Sequence, residues 1–168
     1  MLYKKYYKMI QRIQSVYLAL AALVSTIMLI PFNKMPLAKF YGDTVTLHFH
    51  SLYVENLIPG EKSPFDDYFT WPLVAGLVLI TIFAVVSIFL YKNRKTQLLW
   101  IKVNIFISLF VLGGFFFGYI PTLEDKLMTR AIYNFNSFIP ALILMFLVLA
   151  FRGVKKDDKL VKSMDRIR

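Results

Sequence analysis

The run from Trp71 to Tyr91 contains no charged residue, and this constrains the chain more than any other feature. A bilayer core takes about 20 consecutive, mostly apolar residues per helix, so the run predicts a membrane-spanning helix. Two further segments meet the same requirement. One is Ile13 to Phe32, preceded by Gln11 and Arg12; the other is Leu98 to Ile120, with Lys102 near its start. A fourth has an unbroken apolar core only from Phe138 to Phe151, so it must take in Ala131 to Ser137, with Asn134 and Asn136, to reach across. Its Pro140 falls in the first turns, where a kink is expected rather than a break. Composition agrees: 58% of residues are hydrophobic and 18% charged, against about 25% charged in soluble domains. Disorder, collagen and coiled coil are excluded, and a water-soluble fold would lack polar surface to cover so much apolar side chain. With no cysteine in the chain, disulfides, zinc–thiolate sites and thiol catalysis are excluded as well.

Lys and Arg in short flanks set the orientation. Lys4, Lys5, Lys8 and Arg12, then Lys92, Arg94, Lys95 and Lys102, then Arg152, Lys155, Lys156, Lys159, Lys162, Arg166 and Arg168 fall on one side. Only Lys34, Lys39, Lys62, Lys126 and Arg130 fall on the other, among seven of the 10 acids. Both termini are therefore expected in the cytoplasm, and the net charge of +10 follows from threading rather than from nucleic-acid binding. The basic start reads as an uncleaved anchor, because its apolar stretch is long for a signal peptide and Pro36, Leu37 and Ala38 make a poor cleavage site. The predicted fold is an all-α membrane protein of one domain over 1–168. It is a four-transmembrane-helix bundle with helices over about 9–32, 71–91, 98–120 and 131–151.

Between helices 1 and 2 the loop 33–70 has room for structure outside the bilayer. Thr44 to His50 alternate polar and apolar, a strand signal. Gly42 and Asp43 predict a turn before it, and Leu52 to Ile58 can supply a partner strand or a short helix before the Pro59–Gly60 break. A small extracytoplasmic β-hairpin or β-cap is expected, leaning on the helix ends because an isolated hairpin is only marginally stable. After helix 3, Pro121, Thr122 and Asp125 resemble a helix N-terminus with a capping carboxylate.

Candidate chemistry is sparse. His48 and His50, two apart on a strand, share one face, which is a weak start to a metal site without a third ligand. Asp66 and Asp67, followed by Tyr68, Phe69 and Trp71, read as an interfacial loop with an aromatic belt. Lys102 lies close enough to the cytoplasmic end of helix 3 to snorkel to the headgroups. No Asp, Glu or His falls in a span, which argues against carboxylate proton coupling, intramembrane proteolysis and acid-ring ion filters. No catalytic, cofactor-binding or metal residue is assigned. Packing chemistry is richer: Gly114 and Gly118 form a GxxxG on helix 3, and Ala21 with Ser25 and Ala22 with Thr26 form small-residue rows on helix 1. The tail 152–168 groups Val154, Leu160, Val161, Met164 and Ile167 beside its basic residues, an interfacial amphipathic pattern that predicts contact with anionic lipid headgroups and no nucleic acid.

The two ends carry a further signal. Met9 to Tyr17 read MIQRIQSVY, and Lys156 to Arg168 read KDDKLVKSMDRIR. The chain resembles a Bacteroidota family of four-helix membrane proteins, classed as a domain of unknown function, whose members open near MIQRIQ and close on a KDxxLVxSxDRxR string. Relative to many members, the residues before Met9 are an extension. The resemblance implies four helices and an inner-membrane location, and it brings no activity, cofactor or site. With both ends at the cytoplasmic surface, Gln11, Arg12 and Gln14 are candidates to pair with Asp157, Asp158 or Asp165. The function expected is a non-enzymatic structural or accessory subunit that binds a membrane protein partner or a second copy of itself. The alternatives are a small transporter or channel component with a polar path near Asn104, Ser108 and Asn134, and a lipid-modifying enzyme using the histidines.

Overall fold

A computed structural model of the chain describes residues 2–30, 36–41, 44–54, 65, 66 and 68–165, with side chains described only within 13–163. Helix α1 spans Leu2–Leu29, and three short strands follow: β1 (Ala38–Phe40), β2 (Val45–Leu47) and β3 (Leu52–Val54). Helix α2 (Trp71–Phe89) closes in a 3₁₀ turn, Leu90–Lys92, and leads directly into α3 (Arg94–Gly113). Helix α3 continues through a π-helical segment, Gly114–Tyr119, into α4 (Ile120–Leu127). Strand β4 (Ile132–Tyr133) and a 3₁₀ turn (Phe135–Phe138) precede α5 (Ile139–Asp165). Three helical stretches are long and apolar enough to cross a membrane: Trp71–Lys92, Arg94–Leu127 and Phe135–Ser163. The apolar stretch of α1, Ile13–Leu29, is shorter.

The helices form a ring in which α1 and α3 each pack against both α2 and α5. Each contributes one inward stripe at spacings of three and four, as a 3.6-residue period requires. These are Gln14, Leu18, Ala21 and Ser25 on α1; Leu73, Leu77, Ile80, Ala84 and Ser87 on α2; Gln97, Ile101, Asn104, Ser108 and Val111 on α3; and Ile143, Leu147, Ala150, Val154 and Asp157 on α5. Opposite these stripes the surface is also apolar. Phe106, Phe110 and Phe117 on the α3 rod are 71%, 83% and 86% exposed.

The sheet is four-stranded and antiparallel, in the order β3-β2-β1-β4. Ala38, Phe40, Val45 and Leu47 point into the core cluster shared with the helices, while Lys39 and Thr46 face away from it. The cap thus gains a strand that the sequence places in helix 4. The segment Ala131–Ser137 does not begin a helix over 131–151, because its polar side chains bind the start of β1. Asn134 and Asn136 donate from Nδ2 to the Pro36 carbonyl at 3.2 and 3.4 Å, and the Ser137 hydroxyl donates to the Leu37 carbonyl. Asn134 is extended, and its N–H bonds the Leu37 carbonyl at 3.1 Å.

Other expectations change in detail. Helix α4 does start at Ile120 with Pro121 in its first turn, but no side chain caps it, and the Thr122 hydroxyl bonds back to the Gly118 carbonyl within a continuous rod. The π segment before Pro121 accommodates a residue that has no N–H to give to the preceding turn. Helix 3 starts at Arg94 rather than Leu98, with the Asn93 side chain accepting from the Thr96 N–H at 3.4 Å. In the tail, α5 continues unbroken to Asp165, and Val154 and Asp157 belong to its buried stripe. The Gly42–Asp43 turn, Asp67, and the stretch from Glu55 to the Pro59–Gly60 break lie outside the described residues.

Candidate functional site

Two polar side chains inside the helix ring, Gln97 and Asn104, are bonded to backbone carbonyls of a neighbouring helix. Gln97 donates to the Ser87 carbonyl at 2.9 Å, and Asn104 donates to the Ile80 carbonyl at 3.1 Å, which ties α3 to α2 at two levels. The Ser25 hydroxyl donates back to the Ala21 carbonyl at 2.7 Å, so these two small residues of α1 face inward together. Asn104 retains one buried atom with no hydrogen-bond partner, Oδ1. Ser108 lies one turn further along the same stripe, whereas Asn134 is bonded to Pro36 in the cap.

At the end of the bundle away from the sheet, Gln14 and Asp157 meet. Gln14 Nε2 donates to Asp157 Oδ2 at 2.6 Å, and both side chains are buried. Gly153 makes room for this contact, because a Cβ there would lie 2.8 Å from Gln14 Cγ. Asp158 pairs instead with Lys162, one turn along α5, at 2.5 Å. The side chains of Gln11, Arg12 and Asp165 lie outside the described residues. Beside Asp158 an open groove collects Lys92, Arg94 and Lys95 of the α2–α3 connection with Lys162 of α5. Lys102 is exposed, and its ammonium sits 5.9 Å from the centre of the Phe151 ring, which Lys155 approaches at 5.8 Å.

At the sheet end, β2 stops at Leu47 and the histidines occupy a turn, closed by the His48 N–H on the Ser51 carbonyl at 2.9 Å. The expected strand through His50 ends early because this bond reverses the chain. The two imidazoles still adjoin, with ring centres 5.4 Å apart. His48 is buried; His50 is half-buried, and that burial lowers its pKa from 6.5. Among the described residues no group of three His, Cys, Asp or Glu side chains could hold a metal ion. The turn borders a cavity of about 260 Å³ walled by the end of α1 and the start of α5, including Ile27, Met28, Ile139 and Leu142. At the start of α2, Tyr68 and Trp71 form an exposed edge-to-face pair, ring centres 5.1 Å apart.

Comparison with protein families adds one decisive match, since the family described as Domain of unknown function (DUF4293) covers residues 10–167. The chain belongs to the DUF4293 family. No curated protein and no solved structure matches it.

In this DUF4293 chain the glycines that permit close helix contact are not those of the GxxxG. A Cβ on Gly113, Gly114 or Gly118 would meet nothing within 4 Å, so Gly114 and Gly118 do not pack the bundle. Close approach belongs to Gly76, where a Cβ would lie 2.3 Å from Val111 Cγ2, and to Gly153. Gly76 is the single glycine of the uncharged run, and that isolation was a signal for it. Nothing local marks Gly153, whose neighbour Gln14 comes from the other end of the chain.

Proposed function

We propose that this protein is a multi-pass protein of the bacterial inner membrane, with both termini in the cytoplasm and the β-cap outside. On this reading it serves as a non-enzymatic structural or accessory subunit. The observation that carries it is the apolar exterior of a bundle whose interior is already packed. Phe89, Phe106, Phe110 and Phe117 project outward from helices long enough to span, and an exposed apolar surface of that extent suits lipid or a partner rather than water. All four helices are taken to span, α1 included, because α1 packs along α2 and α5. The asymmetry of Lys and Arg supports the orientation, and the two end motifs support a Bacteroidota origin.

The groove of Lys92, Arg94 and Lys95, beside the Lys162–Asp158 pair, then lies at the cytoplasmic headgroups, where each unpaired basic residue adds about 1 kcal/mol of attraction to anionic lipid. The outward backbone at Gly114 and Gly118 is left open for another membrane helix. Because the chain has no cysteine, single-cysteine variants test the topology directly. A membrane-impermeant maleimide added to intact spheroplasts should label Tyr53→Cys and Tyr68→Cys and spare Lys95→Cys and Lys159→Cys. The reverse pattern would refute the orientation. Purification in mild detergent should return a stoichiometric membrane partner or a homo-oligomer; a lone monomer would count against the accessory role.

A second reading, a small transport component, draws on the unpartnered Oδ1 of Asn104 beside Ser108 on the inner stripe of α3. It requires that the purified protein move a solute when reconstituted alone.

A further inference from the structure

We propose that the cavity between the ends of α1 and α5 and the His48–Ser51 turn holds one acyl chain of a glycerophospholipid, with the His50 imidazole meeting its ester group. The inference rests on the membrane reading above, with the cap on the outer side. The cavity is about 260 Å³, and apart from the two histidines its lining is apolar. A smaller apolar cavity, of about 150 Å³, already stays dry and takes up apolar molecules. This one therefore has no use for water.

Its mouth is continuous with the bundle's apolar exterior. Ile30, Phe135 and Leu142 border it and are themselves exposed, so an occupant enters sideways from the bilayer rather than from the aqueous side. That continuity argues for lipid over a soluble ligand. The polar end argues for an ester-linked chain over a plain hydrocarbon. Sheet and helices meet here at the outer ends of the spans, the depth at which a phospholipid's ester carbonyls lie. A neutral imidazole carries one N–H donor and one acceptor, and burial of His50 favours its neutral form. The His50 ring thus offers a donor to acceptor-rich ester oxygens without requiring a charged ligand.

The test uses the full chain in phosphatidylethanolamine vesicles that carry a phospholipid with a diazirine in one acyl chain. After irradiation, adducts on Ile27, Met28, Ile139 and Leu142 should exceed those on Phe106 and Phe110 of α3 by about tenfold per residue. Ile139→Trp, which fills the cavity, or Leu142→Phe if the first variant folds poorly, should abolish the excess while α3 labelling persists. His50→Ala should reduce cavity labelling by the phospholipid. Equal labelling of cavity and α3 would overturn the proposal and leave the membrane reading intact, whereas no labelling anywhere would overturn both. A diazirine fatty acid lacking the glycerol ester that labels the cavity equally well, with or without His50, would overturn the role given to the imidazole.

Discussion

Gln14 near the start of α1 and Asp157 near the end of α5 are 143 positions apart and joined by a 2.6 Å hydrogen bond. Both are buried, and Gly153 keeps the space that Gln14 fills. The bond fastens the first helix to the last at the end opposite the sheet.

Removing the acceptor should therefore cost more than a surface mutation. Asp157→Ala leaves the Gln14 amide buried without a partner, a loss of about 1–3 kcal/mol. Asp157→Asn keeps an acceptor and should cost less, and Gln14→Glu, which sets two carboxylates together, should cost most. Thermal unfolding in detergent ranks the three; identical midpoints would refute a structural role for the pair.

Gly76 and the GxxxG glycines should respond in opposite directions. Gly76→Ala drives a methyl into Val111, and overpacking of this kind costs about 1–3 kcal/mol. Val111→Ala in the same chain should recover part of that loss. Gly114→Ala and Gly118→Ala meet open space and should be neutral, or stabilise the monomer by roughly 0.5–1 kcal/mol through helix propensity. Unfolding of the detergent-solubilised monomer measures all four variants.

Asn134 and Ser137 hold the first strand to the entry of α5. Asn134→Ala with Ser137→Ala should remove roughly 1 kcal/mol per bond from the cap alone. Amide exchange should quicken in β1 and β4 and stay unchanged in α2 and α3. Uniform acceleration would mean that the cap and the bundle unfold together.

Burial holds the His50 pKa below 6.5. The unfolded chain then takes up its proton at a higher pH than the folded one, so stability is constant above about 6.5 and declines as pH falls through the window beneath it. His50→Gln should flatten this dependence. Unfolding midpoints between about pH 8 and about pH 5, compared for the two proteins, test the sign.

The apolar helices were legible because a span is a local property: twenty uncharged residues state it without reference to anything distant. The alternation at Thr44 to Leu47 likewise announced a strand, and Leu52 to Val54 supplied the partner expected for it. Ile132 to Asn134 leave the expected fourth span for the sheet because their partners, from Pro36 to Lys39, lie about a hundred positions away. The GxxxG left its partner open for a related reason. Spacing shows that two glycines share a helix face, but not which way that face turns.

The sequence by itself determined where the long apolar helices lie, that a small sheet follows the first of them, and how few titratable groups the spans contain. Only the tertiary structure decided that β4 joins the sheet from beyond α4, that Gly76 and Gly153 are the points of close approach, and that Gln14 meets Asp157. Helix-forming and apolar character is carried by each segment in its own residues. Strand pairing, close packing and buried hydrogen bonds are properties of two segments at once, and they exist only when the chain has brought both together.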